Sequence, residues 1–172
     1  PFPDTGLAIA PLYDEPFLAA VPSTHPLAQQ ESISTQQLKN ETMLLLGAGH
    51  CFRDHVLEVC PEFARYASNA EGIRRSFEGS SLETIKHMVA AGMGVTLVPR
   101  LSVANDALQS PRRRRSDEPY IRYLPIVEPD GSAPPKRRVS LVWRRSFTRY
   151  EAIAALRNAI HACKLLGVER LN

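Results

Sequence analysis

Two apolar runs of strand length are each joined through glycine to a helix with defined ends. This alternation limits the chain to an α/β arrangement. The run Thr42-Met43-Leu44-Leu45-Leu46 stops at Gly47 and reads as a buried strand. The turn Gly49-His50-Cys51 then leads into a helix that must stop near Cys60, because Pro61 disfavours helical geometry at the residue before it. Further on, Ser80-Ser81-Leu82-Glu83 reads as a capping box with Ser80 at the N-cap and Glu83 at N3. Leu82, Ile85 and Val89 form an apolar stripe, and Gly92 sits where a C-terminal cap belongs. Gly94-Val95-Thr96-Leu97-Val98-Pro99 follows as a second buried strand. Strand, helix and strand in this order predict substantial parallel pairing.

The remaining elements are shorter. Leu7–Ala10 and Phe17–Val21 read as two apolar strands separated by Asp14-Glu15-Pro16, a candidate crossover. Ser34 to Leu38 is a short helix candidate. Residues 102–119 form a polar connection, Ile121–Pro125 a strand, 128–136 a Pro-rich linker and Arg138–Trp143 another strand. A last helix is predicted from Thr148 to Leu166. Ile153, Leu156, Ile160 and Cys163 share its apolar face, which places Cys163 in a core.

The 172 residues are 44% hydrophobic and 23% charged, enough for one domain or two small lobes. Three cysteines are too few for a disulfide scaffold and odd in number, so a reducing, cytoplasmic setting is expected. Neither a signal peptide nor a membrane span is read here, and without an initiating Met the chain is expected to be an excised part of a longer one. The net charge is +3, with Arg112-Arg113-Arg114-Arg115 as its densest source. Such a run could contact phosphate. Flanked by Pro111 and Asp117-Glu118-Pro119, with no aromatic between, it reads as a solvated loop.

Two cysteines, Cys51 and Cys60, lie at the two ends of the helix predicted after the Gly49 turn. His50 and Arg53 flank the first of them. Positive charge and a helix N-terminus both favour thiolate over thiol, so Cys51 is a candidate nucleophile. In one continuous helix the two Cα atoms would lie about 13 Å apart, at 1.5 Å per residue. They would also face opposite sides. A disulfide needs Cα atoms within about 7 Å. The pair could bond only if the helix unwound, which is the behaviour of a switch. The bland alternative is two buried, inert thiols.

The motifs His25-Pro26-Leu27-Ala28, Ser81-Leu82-Glu83-Thr84 and Met88 through Pro99 resemble the effector-binding domain of LysR-type transcriptional regulators. The stretch Gly49-His50-Cys51-Phe52-Arg53-Asp54, with Cys60, is similar to the peroxide-sensing OxyR subgroup. The resemblance spans nearly the whole chain, most weakly at 61–75 and 103–119. It implies an α/β fold of two periplasmic-binding-protein-like lobes joined by crossover strands. Residues 1–14 and 138–172 would form parts of an incomplete lobe I, and 15–137 would form lobe II with the redox cysteines. It implies Cys51 as the peroxidatic and Cys60 as the resolving cysteine. His50, Arg53 and Asp54 match neighbours that shape the peroxide pocket, and Arg137 matches a family arginine near the crossover. No cofactor is implied. The implied partners are hydrogen peroxide, a thiol reductant and further copies in a dimer or tetramer. DNA would be read through a helix-turn-helix that this chain lacks.

Three rival functions bear on the same residues. A LysR-type domain binding a small organic effector would share the fold but has no use for Cys51 and Cys60. A zinc site could draw on Cys51 and His55 at i and i+4, with His50 and Cys60 nearby, yet Cys60 faces away and no compact ligand motif exists. A thiol peroxidase would share the first half-reaction but needs turnover, whereas the LysR-like architecture implies a stoichiometric sensor and not an enzyme. His25, His87 and His161 read as structural or solvent-facing.

Overall fold

The computed structural model describes residues 6–61, 76–104 and 120–171. The arginine run at 112–115 lies outside them. The elements in chain order are β1 (Leu7–Pro22), α1 (Thr35–Leu38), β2 (Met43–Leu46), α2 (Cys51–Val59) and β3 (Ser76–Gly79). They continue with α3 (Leu82–Ala90), β4 (Thr96–Pro99), β5 (Ile121–Pro125), β6 (Lys136–Arg144), α4 (Tyr150–Ala162) and β7 (Glu169–Arg170). The described residues divide into two compact units. One takes residues up to Pro16 and from Lys136 onward; the other takes Phe17–Pro135. No described helix is long and apolar enough to cross a membrane.

The two predicted N-terminal strands are one. β1 runs unbroken through Asp14-Glu15-Pro16 and changes partners there. Up to Pro16 it pairs antiparallel with β6 and, at Tyr13 and Asp14, with β7. From Phe17 it pairs antiparallel with β4 and β5. The carboxylates can enter a strand because β6 brings Arg137 to Glu15 and Arg138 to Asp14, each at 2.8 Å. A buried carboxylate is tolerated only when so paired. Pro16 supplies no N–H, and it falls at the last pair with β6, where a missing donor does least harm.

Parallel pairing is narrower than the alternation predicts. β2 and β3 pair in parallel, from Met43–Ser76 to Leu46–Gly79, and Met43 forms a parallel bridge to Val95. The pairs of β1 are all antiparallel. The parallel part is where helices supply the crossovers, since parallel neighbours need a long return connection.

α3 starts one residue later than read from sequence. Ser81 is the N-cap: its backbone is extended and its Oγ accepts the Thr84 N–H at 3.1 Å. Glu83 therefore sits at N2 and pairs with Lys86 at 3.1 Å, one turn on. Gly92, at φ 79°, ends the helix in the left-handed region that suits glycine. Ile85 and Val89 are buried and Leu82 is partly so. They pack in a core with Phe17–Val21, Leu38, Met43–Leu46, Phe52, Val56, Leu97 and Leu124. Each Val, Leu, Ile, Phe or Met side chain among them contributes roughly 1.5–3 kcal/mol when fully removed from water.

α4 corrects a further expectation. It ends at Ala162, and Cys163 is its C-cap with extended backbone (φ −63°, ψ 135°). Cys163 leaves the helical period and is exposed, not in a core. None of the α4 residues is buried, Leu156 included.

Candidate functional site

The site grows from the join between β2 and α2. β2 is wholly buried, so its course is set by packing. One residue past the strand, the Gly47 N–H donates to the Gly79 carbonyl at 3.1 Å and extends the β2–β3 ladder. Gly49 then takes φ 94°, a conformation costly for other residues, and turns the chain into α2. His50 is the N-cap and Cys51 the first helical residue. The Arg53 N–H donates to the His50 carbonyl at 2.9 Å.

Cys51 and Cys60 occupy opposite environments. Cys51 is exposed at the helix N-terminus, where the unpaired N–H groups favour negative charge. Cys60, 0% exposed, is the C-cap, and its N–H donates to the Val56 carbonyl at 2.9 Å. The nine-residue helix keeps them about 13 Å apart by helical rise. No disulfide joins any two of the three cysteines.

Four of the six residues singled out from the sequence share one end of α2. His50, Cys51 and Asp54 are exposed there. Asp54 adds a carboxylate to the first turn, a favourable place on the helix dipole. Arg53 turns inward: its Nη1 donates to the Leu46 carbonyl at 2.8 Å and to the Glu78 carboxylate at 2.6 Å. Cys60 closes the other end of the same helix. Arg137 belongs to the other unit, on β6, where its Nε donates to Glu15.

Glu78 and the aromatic packing under α2 were not legible beforehand. Glu78 reaches Arg53 because β3 pairs in register with β2, opposite Leu45. Twenty-five residues of separation give no local signal for that contact. Phe52 packs edge-on against Phe17, with ring centroids 5.4 Å apart. The His55 ring stacks on Phe17 at 6.3 Å and meets Phe52 edge-on at 6.4 Å. The i, i+4 pair Phe52 and Val56 carried a sign of the buried face.

In the other unit, Asp14 is buried and accepts two bonds from Arg138, at 2.8 and 3.0 Å. Lys136 lies 2.9 Å from it and bridges to Glu169 of β7 at 2.8 Å. The Arg138 guanidinium, then the Lys136 ammonium, hold the Asp14 carboxyl well below the usual carboxylate range.

A family model described as the LysR substrate binding domain matches residues 1–163. The chain belongs to the LysR substrate-binding domain family. Within this family it is 38% identical over 147 residues to the DNA-binding transcriptional dual regulator OxyR of Escherichia coli (strain K12), covering 84% of this chain and 42% of that protein. The chain thus spans less than half the length of that relative. The reduced form of OxyR from N. meningitidis is 34% identical with a TM-score of 0.83, covering 100% of this chain and 73% of that one. A crystal structure of the oxidised form of OxyR is 32% identical with a TM-score of 0.60, covering 92% and 66%. The mixed α/β fold of this LysR substrate-binding domain is therefore that of OxyR regulatory domains.

Proposed function

We propose that this LysR substrate-binding domain is the regulatory part of a transcription factor that senses hydrogen peroxide through a reversible Cys51–Cys60 disulfide. The observation that carries this reading is the pair itself: an exposed thiol at the start of α2 and a buried one at its end. The names of its relatives, hydrogen peroxide-inducible genes activators, point the same way. The unit Phe17–Pro135 then serves as the lobe that carries the redox pair.

The Cys51 thiolate attacks one peroxide oxygen. An S–O bond forms, the O–O bond breaks, and the departing hydroxide takes a proton to leave as water. Cys51 is left as sulfenic acid. His50 is exposed beside it and is suited in type to give that proton. Cys60 then attacks the Cys51 sulfur and displaces a second water. Two thiols and one peroxide become one disulfide and two waters. Because an intact α2 holds the sulfurs apart, closing the bond must unwind α2 and draw Cys60 from the core, and that rearrangement is the signal. An external dithiol returns the pair to thiols. Arg53 and Asp54 hold the shape of the reduced turn. Arg137 and Glu15 act at the crossover segment of β1. The reading further assigns a homo-dimer or homo-tetramer in the cytoplasm, with DNA contacted outside this chain.

Mass spectrometry after a few equivalents of hydrogen peroxide, with remaining thiols alkylated, tests this. The expected product is a linked Cys51–Cys60 peptide with loss of two hydrogens. Two alkylated thiols in a folded, peroxide-treated protein would overturn it and favour a LysR-type domain that binds an organic effector.

A further inference from the structure

His55 sits inside α2, between the two cysteines, and the redox chemistry makes no use of it. Its ring packs against Phe17 at 6.3 Å and Phe52 at 6.4 Å, two rings that also touch each other. Neither neighbour carries a side-chain hydrogen-bonding group. The His55 Nδ1 is buried and has no hydrogen-bond partner among the described residues. In either neutral tautomer that nitrogen is a donor or an acceptor left unmet. A buried polar atom in that state suffers its full desolvation penalty, which an apolar side chain of similar bulk would not.

The penalty belongs to the helical form of α2. Joining Cys51 to Cys60 requires the helix between them to open, because about 13 Å must shrink to within about 7 Å. His55 lies in the segment that opens, and there its ring nitrogen meets water. We propose that His55 is a positioning residue that destabilises the dithiol form and so biases the Cys51–Cys60 couple toward the disulfide. This deepens the peroxide-sensing reading and rests on it. His55 takes no part in bond making; the oxidant is peroxide or a disulfide, and the electrons come from the two thiols.

The test compares wild type with His55→Leu and His55→Phe in the full-length protein. Each is equilibrated in buffers of stepped reduced-to-oxidised dithiothreitol ratio, alkylated, and read by mass spectrometry for dithiol and Cys51–Cys60 disulfide. At a fixed buffer ratio both variants should hold about tenfold more dithiol, toward the lower end of the effect of relieving one unmet polar atom. For this two-electron couple that is a rise of about 30 mV in potential. The reduced variants should also melt above reduced wild type. The proposal is overturned if both variants match the wild-type ratio, or if both reduced variants melt at or below wild type. Failure of the redox reading looks different: wild type itself then forms no Cys51–Cys60 bond at any ratio.

Discussion

Glu78→Gln probes what holds α2 in its helical, dithiol form. Arg53 ties the first turn of α2 to the end of β2, through the Leu46 carbonyl, and to β3, through Glu78. The Arg53 side chain is 13% exposed and that of Glu78 52%, so the pair is neither fully hydrated nor fully buried. Exposed pairs are worth about 0.2–1 kcal/mol, and the shielding of Arg53 sets this one toward the upper end. Glutamine keeps an acceptor but removes the charge, so the dithiol form should lose up to about 1 kcal/mol. Opening α2 breaks the pair, so the disulfide form should not feel the change. The dithiol fraction should then fall by a factor of up to about five at fixed buffer ratio, a potential about 20 mV more negative. The direction is opposite to that expected for His55→Leu. Dithiothreitol equilibration with alkylation and mass spectrometry measures it. An Arg53→Met background supplies the control, because there the same Glu78→Gln change should have no effect. An unchanged ratio in Glu78→Gln, or an equal shift with and without Arg53, would refute the assignment of this pair as a clamp on the reduced helix.

Other expectations concern separate links. In Cys60→Ser, a dimedone-type probe added with peroxide should label Cys51; label elsewhere or none would reverse the proposed order of attack. Ser81→Ala should lower stability by about 1 kcal/mol, the usual effect of losing an N-cap oxygen, while Ser80→Ala should change little; denaturant melts of both variants decide between the two caps. Asp14→Asn should lower the melting temperature at neutral pH, since Arg138 and Lys136 lose their shared carboxylate. The folded-state Asp14 carboxyl is depressed below its unfolded value near 4, so its stabilisation is full above about pH 5 and fades as pH falls through the acid range. The gap between wild type and Asp14→Asn should accordingly stay constant above about pH 5 and narrow below about pH 4; a gap that widens in acid would contradict the ion-pair account.

The chemistry of the site could be read early because its parts are local. Gly49, His50, Cys51 and the stop at Pro61 define a short helix with a thiol at each end, and helical rise alone sets their separation. The same local logic located β2, α3 and β4. It misjudged Ser80 against Ser81 because either serine can cap, and which one does depends on where the backbone leaves the β3 strand. It misjudged Cys163 because apolar periodicity marks a face without saying where the helix ends. Asp14-Glu15-Pro16 looked like a strand break because the sequence holds no record that Arg137 and Arg138 stand opposite, more than a hundred residues later.

The sequence by itself determined the alternation of elements, the two ends of α2, and that the two cysteines sit at opposite ends and on opposite sides of that helix. These follow from steric rules and periodicities acting over fewer than ten residues. Tertiary structure alone decided that β1 is continuous, that Arg53 is held by Glu78, and that His55 packs against Phe17 and Phe52. Those contacts join residues far apart in the chain, and strand register and core packing, not local propensity, choose which side chains meet.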